Sequence, residues 1–300
     1  MLLKNKILLL GFGFLGEEVC NEAVKRNCHV EKTRLHQSDG IIQLDINNHA
    51  KVKNLIESQK PEIVINCISR NDIDSMEKNP KLATDVNVKG PKIVAEICEK
   101  IDSRLIHIST DSVFDGKKGM YSEYDKPNPI NIYARSKLDG ENEIKKTCKN
   151  FVIIRTNFFG INKFGNYLFN NILTKLKNNE KIQGFKDVIF TPISTENLAQ
   201  QIMDVVFSDY RGILNLSANK LISKLEFCNI LANKLNFKNF NIIEESIDNF
   251  NFIAKRPKNT SLDNSLSKSI VKHKSIDFEE WLDFSKTKII QHFNLENSQK

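Results

Sequence analysis

Lys6-Ile7-Leu8-Leu9-Leu10-Gly11-Phe12-Gly13-Phe14-Leu15-Gly16 is the stretch on which the fold turns. Residues 6–10 read as a buried strand, and residues 14–26 carry helical spacing of apolar positions. Between them stands G-x-G-x-x-G. Gly11 permits the tight turn, Gly13 lets backbone approach a pyrophosphate, and Gly16 lets the helix pack close to the strand. The helix N-terminus then offers free N–H groups and its positive dipole end to phosphates. The stretch predicts dinucleotide binding.

The pattern continues outward. Residues 62–66 (EIVIN), 104–108 (RLIHI) and 151–155 (FVIIR) are short, nearly continuous apolar runs, as strands covered on both faces require. Residues 49–59, 80–100 and 133–149 read as helices between them. Strand–helix alternation at this pitch predicts an α/β fold, a Rossmann-type doubly wound parallel sheet. After Gly160 the composition shifts toward Lys, Asn and Phe. Helices are expected at 166–177, 196–206, 224–235 and 278–293, and a strand at 213–217 that returns to the first sheet. The expected division is a dinucleotide-binding domain over 1–160 and a smaller C-terminal α/β substrate domain, mainly 161–300.

Composition narrows the function classes. The 300 residues suit about two domains. With 40% apolar and 27% charged residues, the chain has the balance of a globular protein. The net charge is +7, but the lysines are scattered and no run of five basic residues occurs, so a solvated surface is expected and no nucleic-acid partner. The apolar run at 7–10 is too short for a membrane span or a signal-peptide core, so neither membrane nor export is expected. Six cysteines lack metal-ligand spacing and fit a reducing, cytoplasmic compartment. The six histidines form no metal cluster either, so no metal ligand is assigned. Phe227, Phe237, Phe240, Phe250 and Phe252 read as core rather than as a base-stacking surface.

The end of the second strand decides which dinucleotide binds. If it closes at Lys32, Thr33 and Arg34 reach the adenosine ribose, and Arg34 suits a 2′-phosphate; a terminal Glu31 would instead suit the bare hydroxyls. No acid follows Glu31 before Asp39, which favours NADPH, with NADH as the alternative.

Tyr133 and Lys137 form Y-x-x-x-K, which places both side chains on one helix face. A cationic Lys near the phenol favours phenolate and is expected to lower the Tyr133 pKa, tuning it to protonate a carbonyl oxygen. Ser109-Thr110-Asp111 directly follows the strand at 104–108, at the end that faces a ligand crevice. Thr110 there can hydrogen-bond both the substrate oxygen and Tyr133.

Ser109–Gly116 reads STDSVFDG, against STDYVFDG in the dTDP-4-dehydrorhamnose reductase family of extended short-chain dehydrogenase/reductases. Residues 121–141, YSEYDKPNPINIYARSKLDGE, follow that family's Y-x-E-x-D-x-P-x-P-x-x-x-Y-G-x-S-K-L-x-G-E. Residues 255–262, KRPKNTSL, resemble its R-R-P-x-x-S-x-L. The chain resembles this family over nearly its whole length. The resemblance implies reduction of a 4-keto-6-deoxy sugar nucleotide by a nicotinamide cofactor, in the last step of dTDP-L-rhamnose formation. It implies that Gly11, Gly13, Phe14, Leu15 and Gly16 cradle the pyrophosphate, that Asp45 and Ile46 hold the adenine, and that Cys67, Ile68 and Ser69 line the cofactor. Tyr133 would donate the proton, Lys137 would bind the nicotinamide ribose, and Thr110, Asp111, Asn157 and Phe158 would meet the sugar. A homodimer belongs to the same expectation; some family members bind Mg²⁺ at the dimer contact, which no acidic cluster here indicates. Leu10 stands where the family has its first glycine, Ser112 replaces a Tyr, and Phe158 replaces a Trp. The alternatives are another nucleotide-sugar reductase or epimerase, and a non-catalytic NADP-binding subunit resembling the regulatory subunit of methionine adenosyltransferase.

Overall fold

The computed structural model describes residues 5–161 and 167–295. Strand β1 (Lys6–Leu10) runs into helix α1 (Phe14–Lys25), followed by β2 (His29–Arg34), β3 (Ile42–Gln43), α2 (His49–Gln59) and β4 (Ile63–Asn66). Next come α3 (Ile73–Lys78), α4 (Pro80–Thr84), α5 (Gly90–Ile101), β5 (Arg104–Ile108), α6 (Ile132–Thr147) and β6 (Phe151–Arg155). Beyond β6 lie β7 (Phe158–Phe159), α7 (Leu168–Lys177), β8 (Lys181–Phe185), β9 (Ile189–Phe190), β10 (Ile193–Ser194) and α8 (Thr195–Val206). The chain closes with β11 (Gly212–Asn215), β12 (Ile222–Ser223), α9 (Lys224–Lys234), β13 (Asn241–Glu245) and α10 (Phe278–Phe293). Asn166, where the first helix beyond Gly160 was expected to begin, lies outside the described residues.

Seven strands form one parallel sheet in the order β11-β6-β5-β4-β1-β2-β3. This is the doubly wound sheet expected from the alternation. Side chains alternate across β1. Ile7 and Leu9 pack with α1 and α8, while Leu8 and Leu10 pack with α2 and α5. Each fully buried aliphatic side chain contributes about 1.5–3 kcal/mol, so two layers of helix hold the sheet from opposite faces. The order reverses at β1, with β2 on one side and β4 on the other, and that switch point opens a crevice beyond the strand ends.

The stretch expected as one helix over residues 80–100 is interrupted. A π-turn, Asp85–Lys89, separates α4 from α5, and Gly90 N–H bonds five residues back to Asp85. Pro91 has no N–H to give the Asn87 carbonyl, so regular α-helix cannot continue there. Beyond β6, Phe159, Phe169, Phe227, Phe278 and Trp281 form a second core, with Phe227 and Phe278 stacked at 3.9 Å. Phe252, expected in a core, is instead 38% exposed and lies under the Arg256 guanidinium.

Candidate active site

The crevice at the switch point is a cleft of about 450 Å³. Its floor is the turn after β1. Gly11 has φ +92°, and a Cβ there would meet Ile68 at 2.9 Å. At Gly16 a Cβ would fall 2.2 Å from the Gly11 carbonyl oxygen, so the helix can close on the turn only without a side chain. Above Gly13 a Cβ would meet nothing within 4 Å, and no side chain caps the start of α1. Free helix N–H groups and open space above them suit a pyrophosphate.

Strand β2 continues through Arg34, beyond both ends considered from sequence. Thr33 is buried and braces the loop: its Oγ1 accepts the Gly11 N–H at 3.2 Å, and its carbonyl accepts from Phe12. Arg34 lines the cleft; Glu31 does not, and stands 3.3 Å from His29. Gly11, Gly13, Phe14, Leu15, Gly16, Asp45, Ile46, Cys67, Ile68 and Ser69 all line it, as do Tyr133, Lys137 and Phe158. The rings of Phe14, Phe158 and Tyr167 make an aromatic wall, with Phe14 5.8 Å from Phe158 and 4.8 Å from Tyr167. Tyr167 and His36 also line the cleft, with no motif to announce them.

Helix α6 delivers the Y-x-x-x-K pair. Asn131 caps it by accepting the Ala134 N–H at 2.8 Å, and Glu77 accepts the Ile132 N–H at 2.9 Å. Thr110 and Ser69 hydroxyls hydrogen-bond Tyr133. Burial pushes the Tyr133 phenol up to about 12, with Asp111 also raising it, against the lowering expected from Lys137. Lys137 is itself pushed down to about 8 by burial, opposed by Glu141 and Cys67. Burial is the larger influence on the phenol, and it drives Tyr133 toward its neutral form.

Asp111 and Asn157 do not line the cleft. The Asp111 carboxylate accepts from Thr260 at 2.6 Å, Asn157 at 2.8 Å, and Thr110 and Ser112 at 3.2 Å each. Burial still raises the Asp111 pKa. The cluster ties the turn after β5 to a segment about 150 residues later, and places Thr110 beside Tyr133.

Two supporting groups were not foreseen. Asn87, in the π-turn, donates to Ser136 Oγ at 3.0 Å and accepts the Arg70 N–H at 3.1 Å, joining α6 to the loop after β4. Gly140 lets α6 approach so closely that a Cβ would sit 2.2 Å from the Asn87 oxygen. Glu141, one turn after Lys137, accepts from Arg155 at 2.7 and 3.1 Å and from Ser109 at 2.5 Å. Its place on the Tyr133–Lys137 face and at the end of the 121–141 motif were the available signals.

The family model described as RmlD substrate binding domain matches residues 5–289. A dTDP-4-dehydrorhamnose reductase of Aggregatibacter actinomycetemcomitans is 30% identical over 234 residues, 74% of this chain and 79% of the relative. Methionine adenosyltransferase 2 subunit beta of Danio rerio is 38% identical over 104 residues, 35% of this chain and 32% of the relative. The crystal structure of dTDP-4-dehydrorhamnose reductase from Bacillus anthracis in complex with NADP superposes with a TM-score of 0.87 at 26% identity, covering 95% of this chain and 99% of that one.

Proposed function

The chain belongs to the dTDP-4-dehydrorhamnose reductase family, and from that premise we propose that it reduces the C4 keto group of dTDP-4-dehydrorhamnose to give dTDP-L-rhamnose, with NADPH as the reductant. The observation that carries the proposal is that Thr110 and Ser69 hydrogen-bond Tyr133 in the same switch-point cleft that Lys137 and Arg34 line. The cleft's glycine floor and uncapped helix fit the dinucleotide.

The nicotinamide supplies a hydride to the sugar carbon when bound. Tyr133 gives its phenolic proton to the oxygen that becomes the hydroxyl. With its pKa pushed up to about 12, the phenol keeps that proton at neutral pH, and an alkoxide is still the stronger base. Thr110 and Ser69 hold the phenol hydroxyl in place. Lys137 is fixed by donating to the Ile108 carbonyl at 2.7 Å, leaving its remaining valence for the nicotinamide ribose. Arg34 would grip the 2′-phosphate, and Asp45 and Ile46 would border the adenine. Phe158, with Phe14 and Tyr167, would exclude water from the sugar side, while Asp111 and Asn157 act by holding Thr110.

In this reading residues 1–160 with β11 carry the cofactor, and the remainder of 161–300 mainly holds the sugar nucleotide. Five cysteines are buried and the sixth, Cys67, opens on the cleft, an arrangement that suits a reducing cytoplasm. A homodimer completes the proposal, and light scattering at assay concentration tests it. The activity is tested with enzymatically generated dTDP-4-dehydrorhamnose, following oxidation of NADPH and of NADH in parallel with dTDP-rhamnose formation. Tyr133→Phe is expected to lower turnover by about 10²–10⁴-fold with NADPH affinity retained. Near-normal turnover in that variant overturns the mechanism. NADPH binding without turnover of the keto sugar in the wild-type protein points instead to another sugar nucleotide or to a binding role.

A further inference from the structure

Lys224, the first residue of α9, is a cation that the proposed reaction does not use. Its Nζ lies 3.4 Å over the centre of the Phe190 ring, and its backbone N–H donates to the Val188 carbonyl at 2.9 Å, which seats it beside β9. Phe190 is buried and packs against Phe227 at 5.7 Å, so the ring cannot move away from the ammonium. A ring face attracts a cation but gives it no lone pair. Among the described residues no carboxylate lies within ion-pair distance of Lys224, and no acceptor takes its ammonium hydrogens. Arg256 and Lys258, on the segment beside β9, are already committed to Asp74 and to Asp187 and Asp248. Lys224 is half-buried, so part of it remains open to an arriving ligand.

We propose that Lys224 is a specificity-determining residue whose ammonium takes the diphosphate of the sugar nucleotide. The inference rests on the reading of the chain as a sugar-nucleotide reductase. Asp111 is the anion within electrostatic reach of Lys224, and its carboxylate already accepts from Thr260, Asn157, Thr110 and Ser112. Thr110, the next residue, touches Tyr133, so Lys224 stands close to the turn that would meet the keto oxygen. In a pyranose C1 lies across the ring from C4. With C4 at Tyr133, the diphosphate on C1 leaves one ring's width away, and α9 and β9 belong to the part of the chain read as holding it. Burial pushes Lys224 down to about 8, while Asp111 and the Cys228 thiol, the titratable groups that face it, raise it. A diphosphate carries a permanent charge on each phosphate, which an ammonium meets as a point charge with three donors. Binding then favours the charged form of Lys224 and offsets its desolvation.

The probe is dTDP, which has the diphosphate but no sugar, titrated calorimetrically into the NADPH-bound protein. Lys224→Met should weaken dTDP about 10–100-fold, the range of one charge-assisted contact, and leave NADPH affinity within about twofold. Lys224→Arg keeps the charge and should stay within about threefold of the wild-type protein. At about pH 8.5 the wild-type protein should take up as much as about 0.7 proton on binding dTDP, and Lys224→Met should lose most of that uptake. In turnover, Lys224→Met should raise KM for the keto sugar nucleotide by the factor lost in dTDP affinity and hold kcat. Equal dTDP affinity in the wild-type protein and Lys224→Met overturns the assignment. So does a parallel loss of dTDP binding, NADPH binding and kcat, which marks a residue that only seats α9. A wild-type protein that binds no dTDP faults the sugar-nucleotide reading itself, and the assignment falls with it.

Discussion

Glu141→Gln isolates the largest electrostatic commitment beneath the active site. Glu141 is 0% and Arg155 1% exposed, and their two contacts lie at 2.7 and 3.1 Å. The glutamine has nearly the same shape, so packing is preserved and only charge and one acceptor are lost. Arg155 is then a buried cation over the Phe114 ring, with its Nη1 already lacking a partner. Breaking such a pair by removing one charge costs about 3–5 kcal/mol. The retained glutamine carbonyl still takes one guanidinium hydrogen, which puts the expected loss at the lower end, about 3 kcal/mol. For a chain of this size that corresponds to roughly 5 °C in Tm. Urea unfolding and calorimetry measure it, with the double variant Glu141→Leu/Arg155→Met as the control. Removing both charges leaves no orphan, so the double variant should recover most of the stability lost by Glu141→Gln. The same substitution removes a charge that holds Lys137 up, so Lys137 should titrate below about 8 in Glu141→Gln. A loss under about 1 kcal/mol, or a double variant weaker than both single variants, would refute the reasoning that the pair is a desolvated unit.

Arg34→Gln should lower kcat/KM for NADPH by about 10–30-fold, the lower range for a charge-assisted contact at a half-buried site, and leave NADH within about twofold. Steady-state rates with both cofactors check it; an equal loss with both would assign Arg34 to the fold instead. Lys137 and Lys224 each titrate near 8 in the folded chain, against 10.5 ordinarily. Between those values the unfolded chain binds more protons than the folded one, so these groups make stability rise with pH across that window, and their penalty is full below it. Lys137→Met should therefore be more stable than the wild-type protein at pH 7 and lose that advantage by about pH 10.5, measured as the difference between paired urea curves.

The cofactor half of the site was legible because its residues lie together along the chain. Strand, turn and helix occur within residues 6–25, and each glycine answers a local steric demand that spacing alone displays. Tyr133 and Lys137 were legible for the same reason, since four residues on a helix is one face. What spacing could not display was protonation. The motif led to a cationic lysine lowering a phenol, but burial moves both groups toward their neutral forms, and burial depends on β4, β5 and the loop after β4 closing over α6. A depth of that kind belongs to no single segment.

Asp111 shows the other limit. The family resemblance implied that it meets the sugar. Yet Thr260 and Asn157 satisfy its carboxylate from two distant parts of the chain. Sequence periodicity tells which way a side chain faces; it does not name the partner that arrives from elsewhere. Glu141 and Arg155 make the same point. Nothing in the spacing of a glutamate on a helix and an arginine at a strand end pairs them, and only their mutual burial reveals that they are one neutralised unit. The cost of separating them ties α6 to β6, and so fixes where Tyr133 and Lys137 stand above the cleft.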